Sequence, residues 1–171
     1  MTNTVEWAVR PEMQRDCAAV RTVLEQAFPT TEEADLVDAL RNDSAWLEGL
    51  SYVAEDQDGA VVAHALLTRC HIGDVPALCL APCSVLPDQQ RGGAGTAVTT
   101  AVLHAAADRG EKFVVVLGHP EYYPRFGFER ASASGVHLSI DVPEEALMVL
   151  SLGGTNPVPG GLVQYAEPFG I

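Results

Sequence analysis

Apolar residues recur at helical spacing in two early segments of the chain. Between Asp16 and Phe28 they stand three and four positions apart, which is the pattern of a helix with one buried face. Asp16 is the expected N-cap of this helix. A second helix is predicted after Thr30, and Glu33 follows Thr30 at the spacing of a capping box. The apolar positions are Val20, Val23, Leu24 and Ala27 in the first helix and Leu36, Val37 and Leu40 in the second.

Short apolar runs bounded by turn residues predict strands instead. Asp58 and Gly59 form a dipeptide that is typical of hairpin loops, because glycine adopts positive φ without steric cost. Pro11 is expected to end the first strand, since proline has no N–H to donate. The predicted strands are Glu6–Arg10, Ser51–Glu55, Ala60–Cys70, Ala77–Val85 and Phe113–Leu117.

The longest helical pattern is Gly93–Arg109, which is rich in alanine and is followed by Gly110 as the C′ residue. It lies between two predicted strands, so the three elements form a βαβ unit with a right-handed crossover. The tail is expected to add three antiparallel strands, at Val136–Ile140, Ala146–Leu152 and Gly161–Tyr165. Residues 1–171 are therefore interpreted as a single α+β domain, with a mixed sheet and helices on both faces.

The charge of the chain excludes two classes of partner. Its 171 residues include 10 Lys+Arg and 23 Asp+Glu, a formal net charge of −13. A single lysine and scattered arginines do not form the basic stripe that nucleic acid or an anionic membrane requires. Residues 1–60 hold 13 acidic and 4 basic side chains. This excess favours a cationic ligand, and the alternative is that the acids only keep the surface soluble.

No membrane span, export signal or metal site is predicted. No apolar run approaches the roughly 18 residues of a span, and Met1–Arg10 has an acidic residue where a signal peptide begins with basic ones. A cytoplasmic protein with reduced cysteines is expected. A zinc site is the less favoured alternative, because free cysteine is most often a small core residue. Its ligands would be Cys70, His71, Cys79 and Cys83.

The segment Leu86–Thr96 joins a buried strand to the start of the Gly93–Arg109 helix and contains three glycines. Such a turn presents backbone N–H groups to an anion, and the helix dipole adds positive charge. The alternative is a tight connection with no ligand. A Walker loop is excluded because the chain has no Gly-Lys pair, and a dinucleotide-binding turn is disfavoured because its third glycine is missing.

Two motifs resemble the GNAT superfamily of acetyl-CoA-dependent N-acetyltransferases. The run Gln90-Arg91-Gly92-Gly93-Ala94-Gly95 fits the family's Q/R-x-x-G-x-G/A loop, and residues 123–128 have the Y-x-x-x-G-F spacing that ends its fourth helix. Residues 80–87 and 116–123 are similar to the YhbS-type branch, with Cys83-Ser84 where that branch more often has Leu-Ala. The resemblance covers nearly the whole chain. It implies a mostly antiparallel twisted sheet with a βαβ core that binds acetyl-CoA.

The resemblance also implies the ligands and their residues. Acetyl-CoA is the expected cosubstrate, an amine the expected acceptor, no metal is implied, and a homodimer is left open. The implied cofactor-binding residues are Cys83, Ser84 and Val85 beside the pantetheine and Gln90, Arg91, Gly92, Gly93, Ala94, Gly95 and Thr96 at the pyrophosphate.

The chemistry of amide formation indicates three candidate catalytic side chains. An alkyl amine is mostly protonated at neutral pH, so a base must remove a proton. Glu33 is the first candidate and the capping box its alternative role; His119 is the second, and a structural histidine is its alternative. The resemblance implies that Tyr123 protonates the departing thiolate; packing is its alternative role, and Tyr122 is expected to be a core aromatic. A backbone N–H of Cys83–Val85 is the expected oxyanion donor.

Two functions remain open at this point. The first is an N-acetyltransferase that acts on a primary amine by direct attack on the thioester, with a cationic acceptor favoured. The alternative is a non-catalytic acyl-CoA-binding sensor or scaffold domain, since a fold alone does not fix a function.

Overall fold

The computed structural model describes residues 7–171, which form a mixed sheet with helices on both of its faces. The helices are α1 (Cys17–Ala27), α2 (Glu32–Arg41) and α3 (Ala94–Asp108). The strands are β1 (Ala8–Pro11), β2 (Trp46–Glu55), β3 (Val61–Ile72), β4 (Val75–Val85), β5 (Phe113–Leu117), β6 (Glu129–Arg130), β7 (Val136–His137), β8 (Leu147–Ser151) and β9 (Gly161–Gln164). The predicted α+β class is confirmed.

The sheet has the strand order β1-β2-β3-β4-β5-β8-β6, and β9 pairs with β3 and β7. Along that main order the parallel pair is β4 with β5, which α3 connects. The ladder between these two strands ends at Cys79 and Val115, although β4 continues to Val85. The last six residues of β4 are therefore free of β5. A gap between the carboxyl ends of two parallel strands is a common place for a ligand site.

The apolar stripe predicted for each helix faces the sheet. Val98 and Val102 of α3 are buried in one core cluster with alternate residues of β2 and β3. Val20 of α1 and Val37 of α2 are buried on the opposite face, against residues such as Leu66 of β3. Residues of β3 reach both clusters because neighbouring side chains of a strand point to opposite faces of the sheet. Helices on both faces are thus confirmed.

The prediction for the tail is partly wrong. β8 and β9 occur within the predicted bounds, but the predicted strand Val136–Ile140 is reduced to β7, which runs parallel to β9 rather than antiparallel. Val136 is buried while Ile140 is 47% exposed. Leu138 still packs against the core, but the last two residues of the run are exposed and gain little from joining the sheet. In the predicted first strand, Glu6 lies outside the described residues.

The family's fourth helix is also shorter than the motif implies. Tyr123–Phe126 forms a single 3-10 turn rather than an α-helix. Pro124 has no N–H for a helical hydrogen bond, and Gly127 ends the turn with a φ of 100° in the left-handed region.

Across residues 7–171, none of the helices combines the length and the apolar character that crossing a bilayer requires.

Candidate active site

A cavity of about 620 Å³ lies where β4 and β5 have separated. The end of β4, the glycine-rich turn, the start of α3 and the segment after β5 all contribute to its wall. The lining residues are His64, Cys83, Ser84, Val85, Gln90, Arg91, Gly93, Gly95, Thr96, Val98, Thr99, His119, Tyr122, Tyr123 and Arg125. Most of the residues singled out in the sequence therefore meet in one place. Gly92, Ala94 and Glu33 are not among the lining residues.

The glycine-rich turn adopts the backbone conformation that its sequence suggested. Gly93 is the N-cap of α3 with a φ of 92°, and the first helical hydrogen bond runs from the N–H of Ala97 to the Gly93 carbonyl. The preceding amides of the first turn belong to the orphan donors of a helix start. Arg91 also lies in the left-handed region, with a φ of 68°, which is uncommon for a residue with a Cβ. The turn thus holds a shape that suits close approach of an anion.

Close packing fixes the turn from two sides. A Cβ at Gly95 would lie 3.0 Å from Cγ2 of Val85, so only glycine lets α3 start this near to β4. The indole N–H of Trp7 donates a hydrogen bond of 2.9 Å to the carbonyl of Gly92. Sequence reasoning missed Trp7, because no local pattern reports a contact across 85 residues.

The cavity wall carries positive charge, although the chain as a whole is acidic. Arg91 and Arg125 line it, and within residues 7–171 no aspartate or glutamate does. The Arg125 guanidinium lies over the ring of Tyr122 at 4.2 Å and donates a hydrogen bond to the Tyr122 carbonyl. This sign of charge suits an anionic group of a ligand.

Tyr123 lines the cavity and is partly buried against the core. Its ring packs edge-on against Phe128 at 5.9 Å, and a Cβ at Gly118 would lie 2.6 Å from its Cε2 atom. Burial raises the pKa of Tyr123, and the neighbouring Cys83 thiol raises it further. Burial likewise raises the pKa of Cys83 to about 11, although the hydroxyls of Tyr123 and Thr99 lower it in part. Both groups therefore keep their protons at neutral pH.

The interpretation of Tyr122 as a core aromatic is wrong. Tyr122 lines the same cavity as Tyr123, and its hydroxyl is 3.0 Å from Oγ1 of Thr96 in the first turn of α3. Tyr122 is the N-cap residue just before the 3-10 turn of Tyr123–Phe126, so the angular spacing within a helix does not set the direction of its side chain. Tyr122 thus ties this segment to the start of α3.

The two candidate bases occupy different places. His119 is exposed and lines the cavity just after β5. Glu33 lies in the first turn of α2, outside the cavity lining. The predicted capping box is absent, because α2 begins at Glu32 with Thr31 as N-cap, and Thr30 instead accepts a hydrogen bond from the Glu32 amide.

No metal-binding cluster is found in the described part of the chain. All four cysteines are free thiols. Burial raises the pKa of Cys70 to about 12. Cys70 and Cys79 are buried in the core beneath β5 and β8, whereas Cys17 and Cys83 are partly exposed.

A buried polar network beside the cavity was not predicted. Its members are Glu12, just after β1, Ser51 on β2 and His64 on β3, with Arg41 at the end of α2. Ser51 Oγ is 2.8 Å from Nε2 of His64 and donates to the Glu12 carboxylate, which also pairs with Arg41. The Glu12 side chain is 3% exposed. Burial alone would raise its pKa, but the neighbouring His64, Ser51 and Arg41 side chains outweigh burial and lower it to about 2.

Replacing Glu12 by glutamine is expected to destabilise the fold in a pH-dependent way. Because the pKa in the folded state, about 2, is below the ordinary 4.5, ionisation of Glu12 stabilises the fold above pH 4.5. That contribution is about 3 kcal/mol and is lost as the pH falls from 4.5 towards 2. Urea unfolding of Glu12→Gln and wild type should differ by roughly this amount at pH 7 and converge in acid.

Glu25→Gln is the matched control, because Glu25 forms an exposed helical pair with Arg21. Its effect should stay below about 0.5 kcal/mol at any pH. A Glu12→Gln deficit that stays constant down to pH 3 would contradict the assignment of the lowered pKa.

Comparison with known proteins agrees with this arrangement. The family model described as an acetyltransferase (GNAT) domain matches residues 8–131. The chain is 35% identical to the uncharacterized N-acetyltransferase YjhQ of Escherichia coli K12, over 90% of this chain and 88% of that protein. It is 32% identical to the uncharacterized N-acetyltransferase YhbS of the same strain, over 94% and 97% of the two chains.

Two solved structures resemble this chain over nearly its whole length. The crystal structure of Escherichia coli YhbS, a complex with CoA, superimposes with a TM-score of 0.88 at 26% identity, over 100% of this chain and 96% of that one. A GNAT family acetyltransferase from Brucella melitensis in complex with acetyl-CoA gives a TM-score of 0.79 at 30% identity, over 96% and 98%. The chain belongs to the GNAT family of acetyltransferases and is an acyltransferase of the N-acetyltransferase class.

Proposed function

We propose that the protein transfers an acetyl group from acetyl-CoA to a primary amine by direct attack of the amine on the thioester. The observation that carries this proposal is the convergence of the glycine-rich turn, two arginines and the buried Tyr123 on one cavity. The complexes of the relatives with CoA and acetyl-CoA support it.

The cavity fits the cosubstrate in shape and charge. Gly93 and Gly95 leave the start of α3 open to a pyrophosphate, and Arg91 and Arg125 supply positive charge. Ser84 is buried, and within residues 7–171 its hydroxyl has no hydrogen-bond partner, so a ligand amide could satisfy it. We assign Gln90, Arg91, Gly92, Gly93, Ala94, Gly95 and Thr96 to the pyrophosphate and Cys83, Ser84 and Val85 to the pantetheine. Gly92 and Ala94 would act by shaping the turn, since neither lines the cavity.

Acetyl-CoA supplies an acyl group that is already activated as a thioester. The chain's own residues have three tasks: to orient the thioester, to stabilise the oxyanion, and to manage protons. A backbone N–H of Cys83–Val85 is the proposed oxyanion donor. Tyr123, which keeps its proton because burial raises its pKa, donates to the sulfur as it leaves.

The alternative of a non-catalytic acyl-CoA sensor makes a different prediction. A sensor needs the pyrophosphate turn but has no use for the protonated hydroxyl of Tyr123 in the cavity. Incubating the protein with acetyl-CoA and a panel of amines, and measuring free thiol, separates the two functions. We expect thiol release that depends on at least one amine; binding of CoA without release across the panel would favour the sensor.

We expect the acceptor to be cationic, because the first 60 residues carry the greater part of the negative charge. The KM of a diamine should rise with salt, since exposed charges are screened beyond about 8–10 Å at physiological ionic strength. A monoamine of the same length with an apolar end is the control and should respond less. An anionic best substrate would contradict the expectation for the acceptor while leaving acetyl transfer intact.

A further inference from the structure

His64 has one satisfied and one unsatisfied ring nitrogen. The side chain is fully buried on β3, and it lines the cavity next to Ser84, its cross-strand neighbour on β4. Within residues 7–171, neither Nδ1 of His64 nor Oγ of Ser84 has a hydrogen-bond partner. Buried polar atoms without partners are rare in folded proteins. Three other buried atoms of the described chain also lack partners, Oε2 of Glu33, Nε of Arg41 and Oγ1 of Thr68, but only His64 and Ser84 of these residues line the cavity, where a bound molecule can complete them.

The contact between Nε2 of His64 and Ser51 shows which ring nitrogen carries the proton. The Glu12 carboxylate is ionised and only accepts hydrogen bonds, so the hydroxyl of Ser51 donates to it. The Ser51 oxygen is then free to accept, and Nε2 of His64 at 2.8 Å is the donor. Nδ1 is therefore the nitrogen without a proton, and it has no hydrogen-bond partner among residues 7–171.

We propose, building on the proposed acetyl transfer, that His64 is the base that deprotonates the acceptor amine at Nδ1. Ser51 and Glu12 are positioning residues that act through its ring. Glu12, whose carboxylate is 3.6 Å from Nε2, also stabilises the imidazolium once it forms.

The protons balance in this scheme. The ammonium form of the acceptor gives one proton to Nδ1 of His64. As the nitrogen bonds to the acetyl carbon and the C–S bond breaks, sulfur takes a proton from Tyr123, which the second amine proton replaces. The net products are the amide, the free thiol and one proton, which His64 returns to water when the products leave.

The charged and titratable groups around His64 are few. Glu12, Arg41 and Cys17 lie on the side of the network, where Cys17 Sγ is 3.7 Å from Glu12. His119, Tyr123 and Arg91 lie on the cavity wall. His119 is the competing candidate, but it is exposed, and no contact with a carboxylate is found for it in the described chain.

The first test needs no turnover. Nitrogen-15 NMR of the histidine rings in the free protein should show neutral His64 with its proton on Nε2, and Ser51→Ala should mix the two tautomers. His71→Gln helps to assign the spectrum, because His71 lies on the same strand and outside the cavity. A neutral His64 with its proton on Nδ1 would overturn the proposal whatever the activity.

The second test compares variants in the acetyl-transfer assay. His64→Gln can keep the hydrogen bond to Ser51 but cannot accept a proton, so kcat/KM should fall about 100-fold. The calorimetric affinity for CoA should stay within about threefold of wild type, which separates loss of the base from loss of the fold. His71→Gln, which lies outside the cavity, should remain close to wild type, and His119→Gln tests the competing candidate.

The outcomes distinguish this inference from the function on which it rests. If wild type transfers acetyl and His64→Gln does so equally well, the base assignment is wrong and the proposed function stands. If His119→Gln is the inactive variant, His119 is the base. If wild type acetylates no amine, the proposed function fails, and the role of His64 as a base fails with it.

Discussion

Replacing Gly95 by aspartate is expected to abolish coenzyme A binding. The new carboxylate would stand at the start of α3, where the pyrophosphate is proposed to bind, and its Cβ would press on Cγ2 of Val85 at 3.0 Å. Charge repulsion and the loss of the open turn act together. We expect the affinity to fall at least 100-fold, or about 3 kcal/mol, in a calorimetric titration with CoA.

Gly95→Ala is the matched control for this experiment. It adds the same Cβ without the charge, so the difference between the two variants isolates the electrostatic part. Gly93→Asp should lose coenzyme A affinity as Gly95→Asp does. Gly59→Asp is the control for the backbone strain of Gly93→Asp, because Gly59 has a similar positive φ and open space around it. Folded Gly93→Asp and Gly95→Asp with wild-type affinity would contradict the placement of the pyrophosphate.

Replacing Tyr123 by phenylalanine is expected to lower kcat about 100-fold while leaving the affinity for acetyl-CoA nearly unchanged. General acid catalysis commonly contributes 100-fold or more, and we expect the lower end of the range because burial raises the pKa of Tyr123 and makes it a weaker acid. The ring keeps its contact with Phe128, so packing is preserved. Pre-steady-state turnover with the best amine measures the effect on the chemical step.

Two other tyrosines serve as comparisons. Tyr165→Phe removes a hydroxyl from a different core cluster and should behave like wild type. Tyr122→Phe removes the hydrogen bond to Thr96 and should therefore weaken coenzyme A binding more than it slows the chemical step. Full turnover in Tyr123→Phe, under conditions where chemistry limits the rate, would remove Tyr123 from the mechanism.

The fold could be predicted from the sequence wherever a pattern is local and long. α3 follows from its alanine-rich run and from Gly110, and β5 follows from a short run of branched apolar residues. The tail could not be predicted as well, because Val136–Ile140 contains enough apolar residues for a strand and only the three-dimensional core decides which of them are buried.

Part of the candidate site could also be predicted from the sequence, and part could not. The glycine-rich turn and Tyr123 lie in continuous motifs, so the sequence predicts both. The network of Glu12, Ser51 and His64 brings together three separate strands or loops, and its spacing along the chain carries no periodic signal. A lone histidine within an apolar strand was the available clue, and such a residue is most often structural.

The central claim is that the cavity between β4 and β5 carries out acetyl transfer and not only ligand binding. The most direct test is carbon-13 NMR of the protein with acetyl-CoA labelled at the acetyl carbonyl, together with the amine that releases most thiol in the panel. We predict that the label leaves the thioester and appears as an amide carbonyl, and that Tyr123→Phe slows this transfer. A label that stays on the thioester, or that appears as free acetate, would contradict the proposed function.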